Sequence, residues 1–219
     1  MQIDLRVLEL LSSKLCHDLV SPISAINNGV ELVEDVGGEV VEEAMQLIGD
    51  SAGHASRRLR LFRMAYGRAG DEDNLNLKDV RQVAEQYMAG GKITLSWPED
   101  QPMDALASQR GFLKTLLNLV LMSEEILAYG GAVSLKPVTE DRRDGFRFEI
   151  VGRNAQLSDQ TRAALEGKTP VDELSPRSIQ SYITGKFAEH FNLKLVYGET
   201  IPDRLDLSLF GAEAMVVAA

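Results

Sequence analysis

The stretch Lys14-Leu15-Cys16-His17-Asp18-Leu19-Val20-Ser21-Pro22-Ile23 places a histidine beside a carboxylate within a long run of helical periodicity. At about 100° per residue, apolar side chains recur on one side of this helix. The predicted buried positions are Leu8, Leu11, Leu15, Leu19, Pro22, Ile26, Val30 and Val33. His17 lies almost opposite Leu8 and Ile26, so we expect its imidazole to face solvent. Periodicity alone fits a solvated surface pair of His17 and Asp18 equally well.

Small and polar side chains surround the predicted position of His17 on the outer face of the helix. They are Lys14, Ser21, Ser24, Asn28 and Glu31. Because none of these is a bulky apolar side chain, the surface of a partner protein can reach the ring.

A second helical stretch repeats apolar residues with the seven-residue period of a coiled-coil seam. The repeat comprises Val41, Ile48, Ala55 and Phe62, with Ala44, Ala52, Leu59 and Tyr66 between them. The intervening Asp35-Val36-Gly37-Gly38 predicts a tight connection and an antiparallel hairpin. Folding there brings His17 level with a cluster of arginines, namely Arg57, Arg58, Arg60, Arg63 and Arg68. Two helices cannot bury such stripes alone, so we expect two chains to form a homodimeric four-helix bundle.

Composition limits the function classes. The 219-residue chain has a formal net charge of −10, which disfavours a nucleic-acid partner held through its phosphates. It contains neither an uncharged apolar run of about 20 residues nor an apparent signal peptide, so we expect no membrane partner and a cytoplasmic location. The single cysteine, Cys16, excludes an intrachain disulfide and a cysteine-cluster metal site. We interpret it as a small residue flanking the bundle core, rather than as a redox group.

After the polar residues 70–74 the pattern changes to mixed strands and helices. Predicted strands are Ile93–Trp97, Ala132–Val138, Phe146–Val151, Leu193–Tyr197, Leu205–Phe210 and Glu213–Val217. Predicted helices are Leu77–Met88, Gln109–Ala128, Asp159–Leu165 and Arg177–Phe191. The order indicates an α/β sandwich. We therefore predict an α+β protein with a helical dimerisation hairpin in residues 1–70 and an α/β domain in residues 71–219.

The string His17-Asp18-Leu19-Val20-Ser21-Pro22-Ile23 resembles the phosphoacceptor box of sensor histidine kinases. In that family a histidine, an acidic residue and a later proline lie on the first helix of a dimeric four-helix bundle. The resemblance implies that His17 carries a phosphoryl group. A neutral imidazole suits this role because its unperturbed pKa is about 6.5, which makes it both a nucleophile and a good leaving group near neutral pH.

The second half resembles the ATP-binding domain of histidine kinases, with three departures. Asn118 matches the first asparagine of the kinase magnesium motif, but Met122 replaces the second, and a thioether does not ligate magnesium. The run Gly152-Arg153-Asn154-Ala155 lacks the adenine-binding aspartate. The run from Ser175 to Tyr182 contains no glycine where kinases wrap the phosphates. We expect this ATPase-like domain to be degenerate and to bind no nucleotide.

Cys16-His17-Asp18-Leu19, Ser21-Pro22 and Asn28-Gly29 beside such a domain resemble the ChpT family of alphaproteobacterial histidine phosphotransferases. The resemblance implies a phosphorelay in which His17 passes a phosphoryl group between receiver domains of a hybrid histidine kinase and of response regulators. Asp18 and Ser21 are the other expected catalytic positions. The expected partner-binding residues are Lys14, Ser24, Asn27, Asn28, Glu31, Arg57 and Arg60. No cofactor of its own is expected, since the magnesium ion belongs to the receiver.

Three alternatives stay open. An active sensor-type histidine kinase would bind nucleotide. A non-catalytic dimerisation or scaffold module would tolerate replacement of His17. A metal enzyme would have to use His17, His54 and His190, whose positions show no ligand spacing.

Overall fold

The computed structural model describes residues 4–36, 38–67, 75–98 and 104–212. Its N-terminal part is an antiparallel pair of long helices, α1 (Leu5–Asp35) and α2 (Val41–Tyr66), with a short 3₁₀ turn at Gly38–Val40 between them. The side chain of Asp4 caps α1 by accepting a hydrogen bond from the Arg6 amide. The predicted helical hairpin is confirmed.

The two helices lie close together at Gly29. A Cβ atom built there would lie 2.6 Å from Cγ1 of Ile48 and 3.2 Å from the carbonyl oxygen of Ala44. Only a residue without a side chain permits this contact, so Gly29 fixes the spacing of α1 and α2.

The predicted burial of α1 and α2 needs correction, because each helix has apolar residues on two sides. Leu8 is 52% and Val30 41% exposed in the single chain, and Ala52 and Leu59 are exposed as well. The hairpin covers one apolar side of each helix. On the other side, apolar residues remain exposed. We call them the outer apolar row, which consists of Val20, Ile23 and Val30 on α1 and Met45, Ala52 and Leu59 on α2. Residue spacing alone does not tell which apolar side faces the other helix.

The C-terminal part is a layered α/β structure built on one five-stranded sheet. Its helices are α3 (Leu77–Met88), α4 (Asp104–Ala107), α5 (Phe112–Ile126), α6 (Asp159–Leu165) and α7 (Ile179–His190), with a 3₁₀ turn at Val171–Glu173. Its strands are β1 (Ile93–Ser96), β2 (Gly131–Glu140), β3 (Arg143–Val151), β4 (Lys194–Ile201) and β5 (Arg204–Phe210). The strand order is β1-β2-β3-β5-β4, and only the β1–β2 pair is parallel. The α+β class is confirmed.

Several predicted boundaries differ from the observed ones. Helices α3 and α6 have the predicted limits, whereas α5 is shorter than predicted and β3 begins earlier, at Arg143. Helix α4 and the 3₁₀ turn at Val171–Glu173 were not predicted, because such short elements carry too little periodicity. The predicted strand Glu213–Val217 and the predicted domain boundary at residue 70 lie outside the described residues.

Helix α5 is the centre of the molecule. All residues from Phe112 to Ser123 are buried, because α2, α3 and α7 pack against the helix and its apolar side chains share one core with strand residues such as Phe146. The last turns of α2 enter the same hydrophobic core through Leu61, Phe62, Met64 and Ala65. The hairpin is therefore joined to the C-terminal part by a shared core. In the described residues, no helix is long and apolar enough to cross a membrane.

Candidate functional site

His17 lies midway along α1 and projects into solvent, with 89% of its side chain exposed. The predicted outward orientation is confirmed. Oδ1 of the adjacent Asp18 lies 3.5 Å from Nδ1 of the ring. This arrangement leaves Nε2 turned away from the carboxylate. One turn later, Pro22 is buried against the rest of the chain.

Two cations flank the Asp18 carboxylate. Nζ of Lys14 lies 3.6 Å from Oδ2, and Nη1 of Arg58 lies 3.7 Å from the same oxygen. Lys14 lies one helical turn before Asp18 on α1, whereas Arg58 comes from α2 through the antiparallel pairing of the hairpin. The prediction that the arginine cluster of α2 lies level with His17 is therefore confirmed for Arg58.

Helix α5 supplies an acidic partner for each of these cations. Oε1 of Glu125 lies 2.5 Å from Nζ of Lys14, and Oε1 of Glu124 lies 2.7 Å from Nη2 of Arg58. We call Glu124 and Glu125 the α5 carboxylates. The hydroxyl of Tyr87 on α3 accepts a hydrogen bond of 3.0 Å from Nη1 of Arg58 and donates one to Glu124. The site next to His17 is thus connected to the C-terminal part.

Burial and charge together set the protonation of this network. Burial lowers the pKa of Lys14, but attraction to Glu125 and Asp18 outweighs burial and raises it above its ordinary value. Burial and the neighbouring Glu124 carboxylate raise the pKa of Tyr87 far above its usual range. Lys14 therefore remains a cation, and the Tyr87 hydroxyl keeps the proton that it donates.

Sequence reasoning missed the α5 carboxylates and Tyr87. A signal was present, since Glu124 and Glu125 are adjacent acids that end an otherwise almost wholly buried helix. Two carboxylates at the edge of a core need cationic partners. Which cations meet them depends on tertiary packing, and the sequence alone did not give that information.

The predicted partner-binding residues are spread over both helices of the hairpin. Ser24, Asn27, Asn28 and Glu31 are exposed along α1 beyond His17. Arg57, together with the predicted catalytic residue Ser21, lines a cleft of about 600 Å³ between the hairpin and the C-terminal part. Arg60 is exposed on α2, and its Nη1 donates a 3.2 Å hydrogen bond to Gln86.

His54 also lines this cleft. Its Nε2 accepts a 3.3 Å hydrogen bond from Nε of Arg58. Burial, followed by the charges of Arg58 and Arg57, lowers the pKa of His54. His190 ends α7, where its ring lies 4.8 Å from that of Phe191. Across the described ranges, no group of three or more histidine, cysteine or acidic side chains could hold a metal ion.

Asn118, the residue that matches the first asparagine of the kinase magnesium motif, makes all of its observed hydrogen bonds within the protein. The Asn118 side chain is fully buried, and its Nδ2 donates to the carbonyl oxygens of Ala65 and Lys114. Its Oδ1 accepts a 3.0 Å hydrogen bond from Nε2 of Gln180 on α7. Tyr66 donates in turn to Oε1 of Gln180. Both N–H groups and the oxygen of the Asn118 amide thus have protein partners in a fully buried position, which does not fit an exposed magnesium–nucleotide ligand.

The first turns of α1 cover the adjoining surface of the C-terminal part. Val7 and Leu10 are buried in a small apolar cluster with Ala164, Leu174 and Ile179. Part of this cluster comes from the run Ser175–Tyr182, where a kinase would wrap the phosphates. The helix that carries His17 therefore packs against this run through Ile179.

Comparison with known proteins gives a consistent assignment. The family model described as the histidine phosphotransferase C-terminal domain matches residues 77–200. The protein phosphotransferase ChpT of Brucella abortus (strain 2308) is 31% identical over 195 residues, which cover 89% of this chain and 90% of that protein. A 1.7 Å structure of a bacterial phosphotransferase superposes with a TM-score of 0.77 and 30% identity, covering 95% of this chain and 98% of the other. The chain therefore belongs to the ChpT-type histidine phosphotransferases, and its role is phosphotransfer in a two-component phosphorelay.

Proposed function

We propose that His17 receives a phosphoryl group from the aspartyl phosphate of one receiver domain and passes it to the aspartate of another. The observation that carries the proposal is the exposed imidazole with a carboxylate beside Nδ1. Nε2 attacks the phosphorus in line, so that the N–P bond forms while the aspartyl P–O bond breaks and its electron pair returns to the donor carboxylate. The reverse step onto a second receiver completes the relay.

The adjacent groups orient the ring rather than take part in bond making. Asp18 accepts a hydrogen bond from the protonated Nδ1, which leaves the lone pair on Nε2. Ser21 lies one turn further along α1 at the mouth of the cleft, where it contacts the edge of a docked receiver. The receiver supplies the magnesium ion that neutralises the equatorial phosphoryl oxygens. This phosphotransferase therefore uses no cofactor of its own.

The docking surface extends along α1 and into the cleft. Ser24, Asn27, Asn28 and Glu31 are exposed and free of core packing, so they can encode partner choice without changing stability. Arg57 lines the cleft, and in the described part of the chain its buried Nε has no acceptor. An acidic side chain of a receiver would supply one. Lys14 and Arg60 flank this surface and complement negative charge.

Two copies of the chain pair through the outer apolar row. Val20, Ile23 and Val30 follow one another at three- and seven-residue spacing on α1, and Met45, Ala52 and Leu59 follow at seven-residue spacing on α2. Exposed rows of this kind are the core positions of a four-helix bundle when a second hairpin covers them. A homodimer also removes the cost of leaving this apolar surface in water.

Phosphorylation by a receiver tests the assignment. His17→Ala is expected to abolish acid-labile labelling by a phosphorylated receiver domain, whereas His190→Ala, which changes another exposed histidine, should label at the wild-type rate. Because His17 is off the core, its replacement should alter stability by no more than about 0.5 kcal/mol. Wild-type labelling of the His17→Ala variant would refute the proposal and favour a scaffold module.

Nucleotide binding separates a phosphotransferase from an active kinase. The saturated Asn118 amide and the buried Met122 support a domain without nucleotide. Calorimetry of the wild-type protein with magnesium-ATP is expected to give no heat of binding. A saturable micromolar isotherm would instead favour the kinase.

A further inference from the structure

We infer that the α5 carboxylates, Glu124 and Glu125, are positioning residues for phosphotransfer at His17. They hold Lys14 and Arg58 against Asp18, and Asp18 in turn fixes the imidazole. The inference rests on the proposed role of His17 as phosphoacceptor. It assigns the C-terminal part of the molecule a function in the reaction step itself, through two side chains that lie on a different element from the histidine.

The connection is continuous. From His17, the path runs through a 3.5 Å contact to Asp18 and then divides, at 3.6 Å to Lys14 and at 3.7 Å to Arg58. The first branch ends at Glu125, 2.5 Å from Lys14, and the second at Glu124, 2.7 Å from Arg58. Contacts to the α5 carboxylates are thus shorter than contacts to Asp18, so α5 determines where the two cations lie.

Both cations need such fixed anchors. Lysine and arginine side chains lose much rotamer entropy when they are ordered, and an ion pair within an exposed helix barely offsets that loss. Here only 15% of the Lys14 side chain and 14% of the Arg58 side chain are exposed. The Tyr87 ring also lies under the Arg58 guanidinium, 5.2 Å away. Asp18 therefore lies beside two immobile charges.

Fixing Asp18 decides which ring nitrogen of His17 is nucleophilic. A carboxylate held beside Nδ1 favours the tautomer with the proton there, and the lone pair then lies on Nε2. When the N–P bond forms at Nε2 and the aspartyl P–O bond breaks, the Nδ1 proton stays in place. The charge of the phosphorylated imidazole then lies next to the Asp18 carboxylate. If Asp18 were free to rotate, part of the population would present a protonated Nε2, which cannot attack.

A purely structural role makes a different prediction. If the α5 carboxylates only joined the hairpin to the C-terminal part, their removal would lower stability without altering the His17 ring. If they bound the receiver directly, their removal would raise the receiver concentration needed for half-saturation. A positioning role instead lowers the rate at saturation and changes the tautomer of His17.

The experiment compares Glu124→Gln, Glu125→Gln and the double variant with the wild-type full chain. Glutamine preserves the shape of each side chain and removes its charge. Glu189→Gln is the matched control, because Glu189 forms a 2.7 Å ion pair with Lys186 within α7. Single-turnover phosphorylation is measured against concentration, with a receiver domain charged by acetyl phosphate. The ¹⁵N shifts of the His17 ring are recorded separately, without any receiver.

Each single variant is expected to lower the saturating rate on the order of tenfold, with the half-saturating concentration unchanged. The double variant should lower it further and shift the ring ¹⁵N signals toward those of a solvated histidine, whereas Glu189→Gln should change neither. The inference would be overturned if the double variant gave the same ring signals as the wild type. It would also be overturned if the variants changed the half-saturating receiver concentration and left the saturating rate unchanged. A wild-type protein that accepts no phosphoryl group would refute the proposed function. In that case the ¹⁵N signals of the variants would still show whether the α5 carboxylates fix the tautomer of the His17 ring.

Discussion

Replacing Arg58 with methionine removes the charge that joins the two helices of the hairpin to the C-terminal part. In the wild-type protein its guanidinium donates to Glu124 at 2.7 Å, to Tyr87 at 3.0 Å and to His54 at 3.3 Å. Methionine keeps the apolar stem and much of its packing on Tyr87. The change therefore isolates the polar contacts.

The size of the effect follows from these contacts. Loss of one partner of a buried ion pair costs about 3–5 kcal/mol, and a hydrogen bond to a charged group contributes about 1.5–3 kcal/mol. The smaller range applies here, because a third of the Glu124 side chain is exposed and Tyr87 still donates to it. We expect the free energy of unfolding to fall by about 2 kcal/mol, which for this length lowers Tm by about 4–8 °C.

Thermal and urea unfolding followed by circular dichroism provide the test. Arg60→Met is the control, since Arg60 is also an arginine of α2 but is exposed and makes a single hydrogen bond to Gln86. It should change stability by no more than about 0.5 kcal/mol. Equal stability of the two variants would refute the reasoning, because it would mean that the contacts of Arg58 across the interface contribute no more than a solvated surface charge.

Two further predictions concern the hairpin and its pH response. Gly29→Val should destabilise the fold by about 2 kcal/mol in denaturant titrations, because the new side chain overpacks against Ile48 and the backbone of Ala44; unchanged stability would show that the helices can separate at no cost. Burial, Arg58 and Arg57 lower the pKa of His54, so the stabilisation from its neutral form is present above about pH 6.5 and is lost as the pH falls through the folded-state pKa. Thermal melts between about pH 7.5 and about pH 5 should therefore show that the Tm of the wild type falls more steeply than the Tm of His54→Gln. If Tm fell equally with pH in both proteins, the lowered pKa of His54 would not be the cause of the pH dependence.

The sequence was sufficient wherever a local period or a local motif determined the structure. The apolar period placed α1 and α2, the glycine-rich connection turned the chain between them, and His17 has the predicted exposure. Helices α3 and α6 have the predicted limits, and the structure shows that each begins after a polar side chain, Asn76 or Ser158, that caps its first turn.

The rest depended on packing between distant residues. Val7 and Leu10 are buried although they are not among the predicted buried positions of α1, because α6 and α7 reach the first turns of this helix. Leu8 was predicted to be buried and is exposed, because α6 and α7 contact the side of α1 that carries Val7 and Leu10 instead. Likewise, no local pattern pairs Lys14 with Glu125, which lie more than a hundred residues apart in the sequence.

The burial of Val7 and Leu10 against α6 and α7 has a consequence for synthesis of the chain on the ribosome. Their partners extend to Ile179, so at about 5–20 residues per second the start of α1 waits roughly 10–30 seconds before those partners are translated. During that interval Leu61, Phe62 and Met64 at the other end of the hairpin also lack the core that buries them. A nascent hairpin therefore exposes apolar surface at both ends, and it needs either protection by a chaperone or early pairing with another nascent chain until the C-terminal part emerges.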